Sequence, residues 1–127
     1  MMRSLSLITL FTLLAGSIGC SVQYVARDVD TYRQDTRDLL STKNDAIKSC
    51  YDEQLKTDPK AGGSVVVNFT VQEETGQLIN VKLDEEKSSA SDTLNQCVLD
   101  AVDGLVLDPP DQREGVASFS WEFRVNS

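Results

Sequence analysis

Between residues 94 and 105 the chain sets Leu94, Cys97, Val98, Ala101, Val102 and Leu105 at i, i+3, i+4, i+7, i+8 and i+11. That spacing is one unbroken apolar stripe on a helix, and such a helix is stable only when another surface covers the stripe. Ser91 or Asp92 can cap its start, and Pro109-Pro110 forbids its continuation. The chain must therefore supply a second apolar face.

Three runs of period two can supply it. In Ser64-Val-Val-Val-Asn-Phe-Thr-Val71, the residues Val65, Val67, Phe69 and Val71 share one face. Glu73-Glu74-Thr75-Gly76 reads as a hairpin connection, with Gly76 where a positive φ is expected. Leu78, Ile79, Val81 and Leu83 make the returning strand, with Asn80 and Lys82 turned to water, and a polar loop runs from Asp84 to Ala90. The last run follows Gly115: Phe119, Trp121, Phe123 and Val125 alternate with Ser118, Ser120, Glu122 and Arg124. Upstream, Leu39, Leu40, Ile47, Cys50, Tyr51 and Leu55 fall near helical spacing, with Thr42 and Asp45 as a capping box. This first helix starts between Thr31 and Thr42 and ends near Lys56, stopped by Pro59, Gly62 and Gly63.

The order helix, strand, strand, helix, strand predicts an α+β fold. Two helices cover one face of a three-stranded antiparallel sheet and leave the polar strand faces wet. A right-handed crossover through the second helix sets the last strand beside the first, which becomes central. The last strand is then an edge.

At 127 residues there is room for one such domain. The chain has no His, which removes imidazole catalysis and mixed His/Cys zinc sites. A formal charge of −8 argues against nucleic-acid binding, since nothing neutralises a phosphate backbone.

The amino terminus has the layout of a secretory signal peptide. Arg3 provides a positive start, Leu5–Leu14 is apolar, and Ala15, Gly16, Ser17 and Gly19 are small. The uncharged stretch from Ser4 to Gly19 would span about 24 Å as a helix, short of the ~30 Å hydrocarbon core. Gly19-Cys20 after that run resembles the lipobox of bacterial lipoproteins, in which the cysteine is lipidated and becomes the first residue. Ser17 stands where that family usually has Leu, and Ser21 after the cysteine suits outer-membrane sorting. The expected division is a cleaved signal peptide over 1–19, a lipidated amino terminus with a tether or helix extension over 20–38, and a folded domain over 39–127. Cleavage removes Arg3 and no acid, leaving 11 basic and 20 acidic residues and a formal charge of −9. The lipid, not a basic patch, would hold the protein to the membrane.

An exported chain favours disulfides, and Cys50 and Cys97 lie on stripes expected to pack on the same sheet face. They are expected to bridge the two helices, which contributes about 4 kcal/mol in the chain-entropy model. Free buried thiols are the alternative. A redox or metal role is disfavoured, because the spacing is not C-x-x-C and no third thiol remains once Cys20 is acylated. Asp52-Glu53, Glu73-Glu74 and Glu85-Glu86 read as solvated charge and form no Asp-x-Asp-x-Asp-Gly loop. The serines lack a His or Ser-x-x-Lys partner, and Gly62-Gly63 lacks the Lys-Ser/Thr of a phosphate loop. No catalytic residue, cofactor or metal site is expected.

Read in order, Ile47-x-x-Cys50-Tyr51-x-x-x-Leu55, Pro59, Gly63-x-Val65-x-Val67-x-Phe69-Thr70-Val71 and Gly76-x-Leu78 resemble a TonB C-terminal-like domain. Leu94-x-x-Cys97-Val98-x-x-x-Val102-x-x-Leu105, Pro109 and the closing aromatic strand continue the likeness over roughly residues 39–126. More narrowly, the chain resembles the carboxy-terminal domain of adventurous-gliding proteins of the AgmX/PglI type. It departs from that family at Leu107-Asp108-Pro109, where an aromatic-Pro pair is usual, and near Leu105, where a Trp is common. It also shows neither the membrane helix nor the long Pro-rich stretch of TonB proper, so energy transduction is not implied. What the resemblance implies is a non-catalytic protein-interaction module that takes a partner segment as an added strand. On this chain the receiving edge would be Ser118, Phe119, Ser120, Trp121, Glu122, Phe123, Arg124 and Val125. The expected setting is the bacterial envelope, lipid-anchored, facing the periplasm and on the outer membrane, within a motility or transport machine. Two further readings stand beside it: an accessory lipoprotein stabilising an outer-membrane complex, and a small-ligand-binding or enzymatic lipoprotein.

Overall fold

The computed structural model describes residues 24–125. The expected signal peptide over 1–19 and the expected lipidation site Cys20 lie outside the described residues. The elements run α1 (Val29–Ser41), α2 (Asn44–Thr57), β1 (Gly63–Val71), β2 (Leu78–Leu83), α3 (Asp92–Val102) and β3 (Gly115–Phe123). The fold is α+β, with the three strands in one antiparallel sheet of order β2-β1-β3. The expected central place of β1 and edge place of β3 are both present.

The first helical region differs from expectation: it is two helices, not one. α1 closes at Thr42, whose N–H reaches back to the Leu39 and Leu40 carbonyls and whose hydroxyl donates to the Leu39 carbonyl at 2.6 Å. With its hydroxyl committed to the preceding helix, Thr42 does not form the expected capping box with Asp45. α2 begins after Lys43 with no side-chain cap. α3 is shorter than its stripe. It ends at Val102 because Gly104 turns the chain at φ +77°, several residues before the two prolines. Ser91 does cap α3, accepting from the Leu94 N–H.

β2 is not a plain alternation. The register passes from Asn68↔Lys82 to Thr70↔Ile79, so the strand carries an extra residue at Asn80, which sits at φ 52°. This bulge brings Leu78 onto the same core-facing side as Val81 and Leu83, while Ile79 stays half-buried outside the core.

The core joins all six elements. Leu40 of α1, Ile47 and Tyr51 of α2, and Leu94, Val98 and Val102 of α3 pack with Val65, Val67, Phe69, Val71, Leu78, Trp121 and Phe123 of the sheet. Val65, Val67, Leu94, Val98 and Val102 are wholly buried. Tyr51 donates its hydroxyl to the Ala61 carbonyl at 2.7 Å and tilts against the Phe123 ring, 5.0 Å between centroids. Cys50 and Cys97 form a disulfide between α2 and α3, with their Cα atoms 6.2 Å apart.

Segment 24–28 is stitched to the far end of the chain. Val25 donates its N–H to the Pro110 carbonyl and accepts from the Gln112 N–H, both at 3.0 Å, in a parallel bridge with Asp111. The hairpin tip joins the same end, where the Glu74 N–H donates to the Asp111 carbonyl at 3.0 Å. Gly76 sits at φ 71°, and a Cβ there would overlap the Leu107 carbonyl oxygen, so only glycine allows this close crossing.

Candidate functional site

The two edges of the sheet are unlike each other. β2 is six residues long and bulged at Asn80. Its start is covered by the α3–β3 connection: the Leu78 N–H donates to the Leu105 carbonyl, Gln77 bridges Val106, and the Leu107 N–H donates to Gly76. Beyond its end, loop 84–90 takes its place beside β1, through Ser88 and Ser89 hydrogen bonds to Val66 and Ser64.

β3 is nine residues long and pairs with β1 in unbroken register, from Gly63↔Phe123 to Val71↔Gly115. Among the described residues nothing pairs with its other side. It is a straight row of main-chain donors and acceptors, the feature that natural sheets usually shorten, bulge or cover.

The side chains along this edge divide as the alternation requires. Ser118, Ser120 and Glu122 are exposed, while Trp121 and Phe123 are buried and Phe119 is half-buried. Phe119 and Trp121 lie 4.6 Å apart between ring centroids. Arg124 and Val125 follow the end of β3. Arg124 pairs with Glu122 at 2.7 Å in full solvent, and Val125 is exposed and does not continue the aromatic face.

Two clefts flank the edge. One, of about 430 Å³, lies between α1 and the first half of β3. Leu40, Phe69 and Phe119 line it, Val29 and Val116 form exposed apolar lips, and Arg33, Arg37 and Arg113 stand around it. The other runs between α2 and the second half of β3, lined by Ile47, Tyr51, Leu55, Trp121 and Phe123. The indole N–H of Trp121 is buried and finds no acceptor among the described residues. A buried donor without a partner costs about 1–3 kcal/mol until something accepts from it.

The sequence alone does not reveal the α1 cleft, because 20–38 is expected to be a tether or helix extension. A signal exists. Tyr32, Thr36 and Leu40 recur every four residues, and they are the positions α1 turns inward.

A charged knot closes the end of the sheet below this cleft. Arg27 is buried. Its N–H donates to Asp111 Oδ2 at 2.8 Å, its Nε to Asp35 at 2.7 Å and its Nη2 to the Pro109 carbonyl at 2.8 Å. Arg113 donates its N–H to Asp111 Oδ1 at 2.9 Å and its guanidinium to the Arg27 carbonyl. Burial alone would raise the Asp111 pKa, but the N–H groups of Arg27 and Arg113 and the Arg113 charge outweigh it and hold the carboxyl below its ordinary value. Burial pushes the Tyr32 phenol up, and the Asp111 charge adds to that. Tyr32 donates to the Arg113 carbonyl at 2.9 Å. Every carboxylate oxygen of Asp111 is committed within the fold, so the knot is a clasp and offers no open chemistry.

The remaining sequence candidates are placed simply. Cys50 and Cys97 are joined to each other and are half-buried on the helix flanks. Asp52, Glu53, Glu73, Glu74, Glu85 and Glu86 are exposed. Among the described residues no group of three His, Cys, Asp or Glu side chains is placed to hold a metal. No described helix is long and apolar enough to cross a membrane.

Comparison with known proteins supports the architecture and goes no further. No family model matches the chain, and no curated protein does. Among solved structures, the chain is similar to the TonB C-terminal domain of Helicobacter pylori, determined in solution by NMR. The similarity has a TM-score of 0.51 at 22% identity, over 71% of this chain and 83% of that one. The fold is thus TonB C-terminal-like.

Proposed function

We propose that this protein is a non-catalytic interaction module, held in the bacterial envelope by a lipid on Cys20, that takes an extended segment of a protein partner as a fourth strand on β3. The observation that carries this reading is the contrast between the edges: β2 is short, bulged and closed off at its start, whereas β3 offers nine residues in regular register with no neighbour on its outer side among the described residues. Strand addition satisfies those main-chain groups, and the flanking clefts take alternate side chains of the guest.

The finer parts of this reading rest on the sequence. Leu5–Leu14 and Gly19-Cys20 support export and lipidation, with residues 1–19 removed, and Ser21 supports the outer membrane. The resemblance to AgmX/PglI-type domains supports a motility or transport machine as the setting. The binding edge would be Ser118–Val125, with Ser118–Phe123 as the pairing strand.

Backbone amide exchange over residues 118–125, with and without a co-purifying envelope protein, tests strand addition. Protection of alternate amides in β3 on complex formation is expected. A stoichiometric complex with unchanged protection there refutes it and leaves the accessory-lipoprotein reading.

A further inference from the structure

The first described hydrogen bonds of the fold come five residues after the proposed lipidation site. Val25 donates its N–H to Pro110 and accepts from Gln112 at its carbonyl, and Arg27 is buried in the Asp111 knot. Five residue steps separate Cys20 from Val25, which reach at most about 18 Å when fully extended. Val25, loop 108–114 and the hairpin tip at Glu74 all gather at one end of the sheet. The opposite end, marked by Gly63 and Phe123, lies a nine-residue strand away, about 26 Å.

Resting on the reading of Cys20 as the lipid anchor, we infer that the end of the domain carrying Val25 and the hairpin tip is held against the lipid surface, so that β3 rises from it and offers its free edge to extended segments of proteins in that same membrane. A leash of about 18 Å cannot turn over a sheet about 26 Å long, so the Phe123 end does not become the face that meets lipid. The mature part carries a formal charge of −9, which opposes lying flat on anionic headgroups. Gly115 is then the foot of β3 and Phe123 its top. The α1 cleft, with Arg33 and Arg37 beside it, opens near the membrane. A partner confined to the opposite membrane is out of reach, and the recognised segment is one that emerges close to the anchor.

The test uses the full lipidated protein, purified oxidised and placed in vesicles of phosphatidylethanolamine and phosphatidylglycerol doped with headgroup spin-labelled lipid. A fluorophore is attached through Glu74→Cys at the hairpin tip or Lys60→Cys at the opposite end, and quenching by the labelled lipid is compared. Several-fold stronger quenching at position 74 is expected. Insertion of 20 Gly/Ser residues between Ser21 and Tyr24, with a root-mean-square reach of about 25 Å, should abolish the difference. Equal quenching at both positions in the uninserted protein overturns the orientation while flotation with the vesicles shows the anchor intact. Equal flotation of the wild-type and Cys20→Ser proteins instead overturns the anchor, and the inference with it.

Discussion

Asp111 accepts the backbone N–H of Arg27 across 84 positions of sequence, at 2.8 Å and out of contact with solvent. This contact makes residues 25–28 part of the folded domain. Removing the Asp111 carboxylate leaves the backbone N–H groups of Arg27 and Arg113 without their acceptor and Arg27 with Asp35 as its remaining ionic partner, at about 1–3 kcal/mol for each orphaned donor. Asp111→Ala should therefore lower the urea midpoint sharply, and limited proteolysis should cut first near residues 24–28.

The same carboxylate makes stability depend on pH. Its folded-state pKa lies below the ordinary 3.8, so the folded state binds the proton less readily than the unfolded chain. Its contribution is whole above the ordinary carboxylate range and is lost as pH falls through that range toward the depressed value. The gap in unfolding free energy between wild type and Asp111→Asn should be constant from neutral pH down to about pH 5 and shrink below about pH 4. A gap that widens in acid would contradict this assignment.

The disulfide closes a loop between positions 47 apart, worth about 4 kcal/mol in the chain-entropy model. A reductant should lower the unfolding free energy of the wild-type protein by that amount, and the urea midpoint by that amount divided by the m-value. The Cys50→Ser/Cys97→Ser double variant should begin at the lower midpoint and be insensitive to reductant.

Two glycines with nearly the same backbone angle should respond differently to alanine. Gly104, at φ +77°, has nothing within 4 Å of a built Cβ, so Gly104→Ala pays only the left-handed penalty of about 1–2 kcal/mol. Gly76, at φ +71°, faces the Leu107 carbonyl, and Gly76→Ala adds a backbone clash to the same penalty. With about 4–8 °C of melting temperature per kcal/mol at this size, Gly76→Ala should melt well below Gly104→Ala in scanning calorimetry.

Tyr51→Phe removes the hydroxyl that donates to the Ala61 carbonyl and keeps the ring against Phe123. A loss of about 1–2 kcal/mol is expected, from the hydrogen bond and the orphaned carbonyl. The β3 register should be unchanged in amide-exchange patterns.

Much of the fold was legible because its periodicities are strong. The Leu94–Val102 stripe, the Val65–Val71 alternation and the Phe119–Phe123 alternation each fix one buried face, and the order of elements left few ways to join them. Elements set by long-range contact were not legible. α1 is polar apart from a narrow inward line, so its helix depends on Tyr32, Thr36 and Leu40 finding the sheet and on Arg27 finding Asp111. The one local mark at the break, Thr42 with Asp45 as a capping box, falls at the right place but not by the expected contact, since the Thr42 hydroxyl serves the preceding helix and not the following one. For the candidate site, the edge was legible from strand order alone. The clefts beside it required knowing where α1 and α2 lie.

The disulfide has a consequence for time as well as stability. β1 pairs with β2 through a tight hairpin but with β3 only across a long intervening stretch of chain, so the β1–β3 ladder is the slow contact to close. Cys50 precedes the hairpin and Cys97 follows it, so the covalent link shortens the path between the two strands before they meet. Oxidation before the sheet is complete would thus hasten assembly of β3, and shorten the interval in which it is held by neither neighbour nor guest.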